Sequence, residues 1–87
     1  MDCYVYLMQC CDGSYYAGWT TDPEKREKTH NSGKGAKYTR SRRPVKLVYT
    51  ELCENKSTAL KREIELKSMS HAQKEQLVRA GIAFLDA

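Results

Sequence analysis

The sequence predicts a single α+β domain over residues 1–87, with a three-stranded, mostly antiparallel sheet flanked by about three helices in the order ββαβαα. Three observations carry that expectation. Two tyrosine-rich runs, 3–9 and 14–19, flank an Asp12-Gly13 turn, which is the pattern of a hairpin. A third run, VKLVYTELC from Val45, has the β-branched and aromatic content of another strand. The stretches between and after these carry caps, proline and glycine at helix-delimiting positions.

The hairpin register decides which side chains meet. A two-residue loop at Asp12-Gly13 pairs Tyr6 with Trp19 and sends Tyr6 and Tyr16 to opposite faces. A three-residue loop, Cys11-Asp12-Gly13 with Gly13 left-handed, sets Tyr6 opposite Gly18 and Tyr16 opposite Met8, all on one face. The second register is the one expected.

Asp22-Pro23 reads as an N-cap followed by proline at the first helical position, and Gly33 as the terminator of a helix running to about Ser32. No strongly apolar residue lies in it, so an ordinary hydrophobic stripe cannot dock it. Arg26, Thr29 and His30 fall at i, i+3 and i+4, a polar face that can turn toward the tyrosines. Gly33 to Pro44 has the composition of a mobile surface loop. In the third strand Val45, Leu47, Tyr49 and Glu51 alternate with Lys46, Val48, Thr50 and Leu52. With Asn55 or Ser57 as cap, Leu60, Ile64 and Met69 with Ala59 and Leu66 predict the main core helix, through about Lys67. Ser70 and Gln73 form a capping box opening a last helix, with Leu77 and Val78 inward and Gly81 ending it.

No apolar run approaches the roughly 18 residues that cross a bilayer, and the first residues lack a secretory pattern, so a soluble cytoplasmic protein is expected. Cys3, Cys10, Cys11 and Cys53 lack zinc-site spacing and read as reduced, small hydrophobes. Net charge is +4, but its distribution is uneven. Lys34, Lys37, Arg40, Arg42, Arg43 and Lys46 lie between Gly33 and Lys46 with no acid among them, a patch suited to a phosphate polyanion.

The order of these blocks resembles the GIY-YIG nuclease superfamily, and within it the small stand-alone bacterial members. Tyr4-Val5-Tyr6 stands at the first signature triplet and Tyr16-Ala17-Gly18 at the second. DPEKREKTHNSGKGAKYTRSRRPVKLVY resembles the segment that follows, and ALKREIELK the helix that carries the family's metal-binding carboxylate. The chain departs from the pattern at Tyr4, Ala17, Pro23 and Glu27, the last two at positions where relatives place leucines.

The resemblance implies metal-dependent hydrolysis of a phosphodiester. Glu63 would hold Mg²⁺ (or Mn²⁺), although read alone it is a helix carboxylate paired with Lys67. Tyr16 would be the general base and Tyr6 would position water or phosphate, with Gly18 structural beside them; the plain alternative for each phenol is an aromatic body packed in the core. Arg26 would grip the charged phosphoryl group, against the alternative of a surface ion pair with a glutamate. His30 would donate to the leaving oxygen or a phosphate, or else be a half-buried histidine bonded to backbone. Lys34, Lys37, Arg40, Arg42 and Arg43 would hold the nucleic-acid backbone and Tyr38 would stack on an unpaired base. The expected partner is DNA more than RNA, with no membrane, and the expected role a structure-selective endonuclease in DNA repair or processing. The alternative is a nucleic-acid-binding module with weak or absent catalysis; a small adaptor for acidic proteins rests on charge alone.

Overall fold

In a computed structural model describing the backbone of residues 2–86 and the side chains of residues 2–81, the elements run β1 (Cys3–Gln9), β2 (Tyr15–Thr20), α1 (Pro23–Asn31), α2 (Lys37–Arg40), β3 (Lys46–Cys53), α3 (Lys56–Ser68) and α4 (His71–Asp86). The expected α+β order holds, with one added helical turn, α2. The sheet is antiparallel with β1 in the centre, in the order β2-β1-β3. No helix among the described residues is long and apolar enough to cross a membrane.

The hairpin takes the three-residue loop. Gly13 adopts φ 86°, its N–H bonds the Cys10 carbonyl at 2.9 Å, and the Cys10 N–H bonds the Ser14 carbonyl at 2.8 Å. Tyr6 therefore lies opposite Gly18, and Met8 opposite Tyr16. Period-two alternation then divides the sheet into two faces. Cys3, Val5 and Leu7 join Ala17, Cys53, Ala59, Leu66 and Val78 in the larger core under α3 and α4. Tyr6, Met8, Cys10 and Val45 form the smaller core on the other face, with Tyr16 and Leu47 against it.

The apolar-free helix α1 docks by hydrogen bonds to the free edge of β3. Asn31 meets Val45 with both ends of its amide, accepting from the backbone N–H at 2.7 Å and donating to the carbonyl at 3.0 Å. One turn earlier the Glu27 carboxylate accepts from the Leu47 N–H. An edge strand has unpaired backbone groups on its outer side, and two polar side chains satisfy them here. Glu27 thus performs a polar task that a leucine could not. The helix begins at Asp22, whose side chain caps the Lys25 N–H, and ends before Gly33 at φ 85°.

Four expectations need correction. The Gly33–Pro44 segment is built, not a featureless loop: it contains α2, and Arg40, Arg42 and Arg43 each donate to a backbone carbonyl, of Gly35, Tyr38, and Arg40 with Asn31 respectively. Alternation in β3 breaks at a register shift opposite Leu7 and Met8, so Val48 and Tyr49 both pack on the larger core. In α3 the inward residues are Ala59, Arg62, Glu63 and Leu66, while Leu60 is 38% and Ile64 68% exposed. Gly81 does not end α4; it lies beside the Tyr49 ring, where a Cβ would be in contact at 3.4 Å. Leu77 and Val78 do pack inward, and the Ser70–Gln73 box closes with bonds of 2.9 and 3.2 Å.

Candidate active site

The two phenols share the face turned toward α1, their ring centroids 6.5 Å apart. Tyr6 is 2% exposed and lies across Gly18, where a Cβ would sit 2.6 Å from Tyr6 Cζ. Gly18 is therefore a matter of space: the phenol occupies the volume a side chain would need. Tyr16 is half-buried, with its ring 5.3 Å from the His30 imidazole and stacked at 5.9 Å on Tyr38. Its hydroxyl has no protein partner among the described residues.

His30 is the buried end of α1, at 2% exposure. Its Nε2 lies 3.2 Å from Tyr6 Oη and its Nδ1 2.8 Å from Thr39 Oγ1, on α2. Both ring nitrogens are thus engaged within the protein. His30 lies behind Tyr6, and its partners are side chains, not backbone.

Arg26, one turn before His30, is exposed and makes no ion pair or side-chain hydrogen bond among the described residues. Its field reaches Tyr6, Tyr16 and His30 alike. Glu63 comes from the opposite side of the sheet. Asn55 caps α3 at the Thr58 N–H, 2.9 Å, Arg62 turns onto Glu51 at 3.1 Å, and Glu63 is the next residue along the helix. The Glu63 side chain is only 18% exposed and acts electrostatically on both Tyr6 and Tyr16. The surface ion pair expected as its plain alternative exists only loosely, with Lys67 Nζ at 3.9 Å.

Protonation follows from these surroundings. Burial, with Tyr16 and Glu63 adding and Arg26 opposing, pushes the Tyr6 phenol well up. Burial and then Glu63 raise Tyr16, again against Arg26. Burial first and Arg26 second lower His30, so its imidazole is neutral at pH 7. The site therefore presents two neutral phenols, a neutral imidazole, a free guanidinium and a carboxylate.

Among the described residues no three His, Cys, Asp or Glu side chains gather to cage a metal. A single carboxylate, 18% exposed and held only loosely by Lys67, does fit a hard divalent cation such as Mg²⁺ or Mn²⁺, which binds through one or two carboxylates and keeps its waters.

The basic segment divides in two. Arg42 pairs with Asp12 at 3.1 Å and lies over the Tyr38 ring at 3.9 Å. Arg40, Arg42 and Arg43 spend donors on the loop itself, whereas Lys34 and Lys37 are exposed with no partner among the described residues. Tyr38 is 38% exposed and already contacts Tyr16 and Arg42, so its ring braces Tyr16 more than it offers an open platform. Asn31, Gly35 and Thr39, which hold α1 and His30, carry no motif signal; only the polar inward face of α1 hinted that such partners exist.

A family model described as the GIY-YIG catalytic domain matches residues 2–76. A UPF0213 protein of Syntrophus aciditrophicus is 56% identical over 77 residues, spanning 87% of this chain and 88% of its own length. A UPF0213 protein of Natronomonas pharaonis is 53% identical, spanning 88% of this chain and 91% of its own. Among solved structures, the solution NMR structure of a UPF0213 protein from Bacillus halodurans superposes with a TM-score of 0.58 at 51% identity, covering 92% of this chain and 85% of that one. A solution NMR structure from E. faecalis gives 0.62 at 48% identity with the same coverage. The match across residues 2–76, on a sheet that brings both signature tyrosines to one face, makes this chain a member of the GIY-YIG catalytic domain family, with UPF0213 proteins as its relatives.

Proposed function

We propose that the protein is a metal-dependent endonuclease that hydrolyses DNA phosphodiesters in one step, with structure-selective cleavage in DNA repair or processing as its field. The observation that carries this reading is the contact of Tyr6 with His30 beside Tyr16, in the combined fields of Arg26 and Glu63.

The base role expected of Tyr16 passes to Tyr6 in this reading, because only Tyr6 has an acceptor behind it. A neutral phenol is a poor base by itself. With His30 Nε2 at 3.2 Å, the Tyr6 oxygen takes a proton from the attacking water as its own proton moves to the imidazole, so no free phenolate forms. The water oxygen bonds phosphorus, the P–O bond to the departing oxygen breaks, and that oxygen takes its proton from solvent. Tyr16, with a hydroxyl free of protein partners, holds a phosphate oxygen. Arg26 offers two parallel donors to the non-bridging oxygens, where charge builds up. A divalent ion held by Glu63, Mg²⁺ or Mn²⁺, supplies Lewis-acid stabilisation of that charge when bound. Lys34 and Lys37, with the outer faces of the loop arginines, hold the backbone of the nucleic acid.

The rival reading, a binding module without turnover, rests on Pro23, Glu27 and the basic loop. Pro23 opens α1 at a position where proline fits, and Glu27 secures the helix to β3, so neither argues for a slack site. The test is incubation of purified protein with nicked, branched and single-stranded DNA and with RNA, with and without Mg²⁺ or Mn²⁺. Metal-dependent cutting that Glu63→Ala abolishes is the expected result. Intact substrates throughout, or cutting by Glu63→Ala at the parent rate, defeats the proposal.

A further inference from the structure

We infer that Thr39 is a positioning residue that sets the tautomer of His30 and, through it, the direction of the Tyr6 hydroxyl proton. Its consequence for catalysis rests on the nuclease reading above; the tautomer itself does not.

The argument is a count of protons. Thr39 Oγ1 lies 2.8 Å from the Ala36 carbonyl, a group that only accepts, so the single hydroxyl proton lies between those two oxygens. What Thr39 turns toward His30 Nδ1, also at 2.8 Å, is then a lone pair, and Nδ1 must carry the hydrogen. A neutral imidazole has one N–H. Nε2 is therefore bare and accepts from Tyr6 Oη at 3.2 Å. The phenol proton points to His30, and the lone pairs of the phenol oxygen stay free of that bond. In the other tautomer the Thr39 hydroxyl proton would have to turn to Nδ1, which sets the lone pairs of Thr39 Oγ1 against the Ala36 carbonyl at 2.8 Å, in a place where Thr39 is 0% and His30 2% exposed.

The local chain is shaped for this contact. The single turn of α2 within the basic run carries Thr39 inward. Gly35 lets the backbone close on the imidazole, since a Cβ there would lie 2.7 Å from His30 Cγ. The segment that reads as a phosphate-binding loop is thus also the holder of a histidine. No motif in the chain announces that second task.

Long-range ¹H–¹⁵N correlation of the imidazole nitrogens tests the assignment directly, and the chain has only two histidines to assign. Wild-type protein above the His30 titration is expected to show a protonated Nδ1 and a bare Nε2. Thr39→Val, which removes the acceptor, is expected to shift His30 toward the Nε2–H form, and Thr39→Ser to restore the parent pattern. A wild-type His30 in the Nε2–H form overturns the inference, as does an unchanged tautomer in Thr39→Val. Should Thr39→Val fail to fold, the wild-type spectrum and Thr39→Ser still decide. DNA cleavage separates the two claims: the expected tautomer in a protein that cuts nothing removes the nuclease reading and leaves Thr39's role standing. Where cleavage occurs, Thr39→Val is expected to lower kcat on the order of 10²-fold with KM little changed, and Thr39→Ser to recover it; an undiminished kcat in Thr39→Val refutes the positioning role.

Discussion

Gly18→Ala is the sharpest probe of how tightly Tyr6 is held. The new methyl carbon would stand 2.6 Å from Tyr6 Cζ, whereas carbon atoms rest at about 3.5–4.0 Å, so one of them must move by about 1 Å. Tyr6 is 2% exposed and packs with Met8, Cys10 and Val45, which leaves its ring little room to shift. Forcing a group into such a core costs about 1–3 kcal/mol. Shifting the phenol also loosens its 3.2 Å bond to His30, worth about 1 kcal/mol. The sum is a destabilisation of about 2–4 kcal/mol. A displacement of about 1 Å at a reacting group also lowers the cleavage rate about 10²-fold. Urea denaturation and single-turnover cleavage read the two quantities. A loss under about 0.5 kcal/mol, the range of an indifferent surface change, together with parental cleavage would refute the reasoning.

Further consequences follow from other contacts. Asn31→Ala strips Val45 of both backbone partners and is expected to cost about 1–3 kcal/mol in urea unfolding, with loss of helical signal confined to α1. Glu63→Gln removes only a loose i,i+4 pair and so should leave stability within about 0.5 kcal/mol while abolishing metal-dependent cleavage. Because burial lowers the His30 pKa from its ordinary 6.5, the unfolded chain binds the extra proton first. His30's contribution is therefore complete above that ordinary value and is lost as the pH falls toward the folded one; the free energy of unfolding and the cleavage rate, measured from pH 8 to pH 5, should both decline on the acid side, and an acid-side rise would contradict the burial of His30. Lys34→Ala with Lys37→Ala should lower the slope of log affinity against log salt by about 2 with unchanged Tm, since each lysine contributes about 0.9 to that slope. Arg42→Ala should lower both, because Arg42 also fastens Tyr38 and Asp12.

The sequence made the tyrosine face legible because a short turn leaves few registers. Asp12-Gly13 between two aromatic runs allows two loop lengths, and only one puts Tyr6, Gly18 and Tyr16 together. The cap of α1 was equally plain, since Asp22 acts on a neighbour three residues away; for α3 the sequence offers Asn55 or Ser57, and Asn55 is the cap. The orientation of α3 was not. Leu60 and Ile64 at i,i+4 suggest an inward stripe, yet the inward face is set by Ala59 and Leu66 and by Arg62 reaching Glu51 on another element. Periodicity cannot see a polar residue recruited to the interior by a distant partner. The same blindness hid the docking of α1, where Glu27 and Asn31 bind backbone groups of an edge strand, and hid Thr39 inside a run of cations.

In the proposed nuclease Glu63 holds the divalent ion, with Tyr16 and Tyr6 beside it. A Mn²⁺ titration followed by ¹H–¹⁵N NMR measures this, because paramagnetic broadening marks residues near the bound ion. Broadening that begins at Glu63, Tyr16 and Arg26 and vanishes in Glu63→Gln is the expected result. Broadening centred on Asp12 or Asp22, with Glu63 and Tyr16 left sharp, would contradict it.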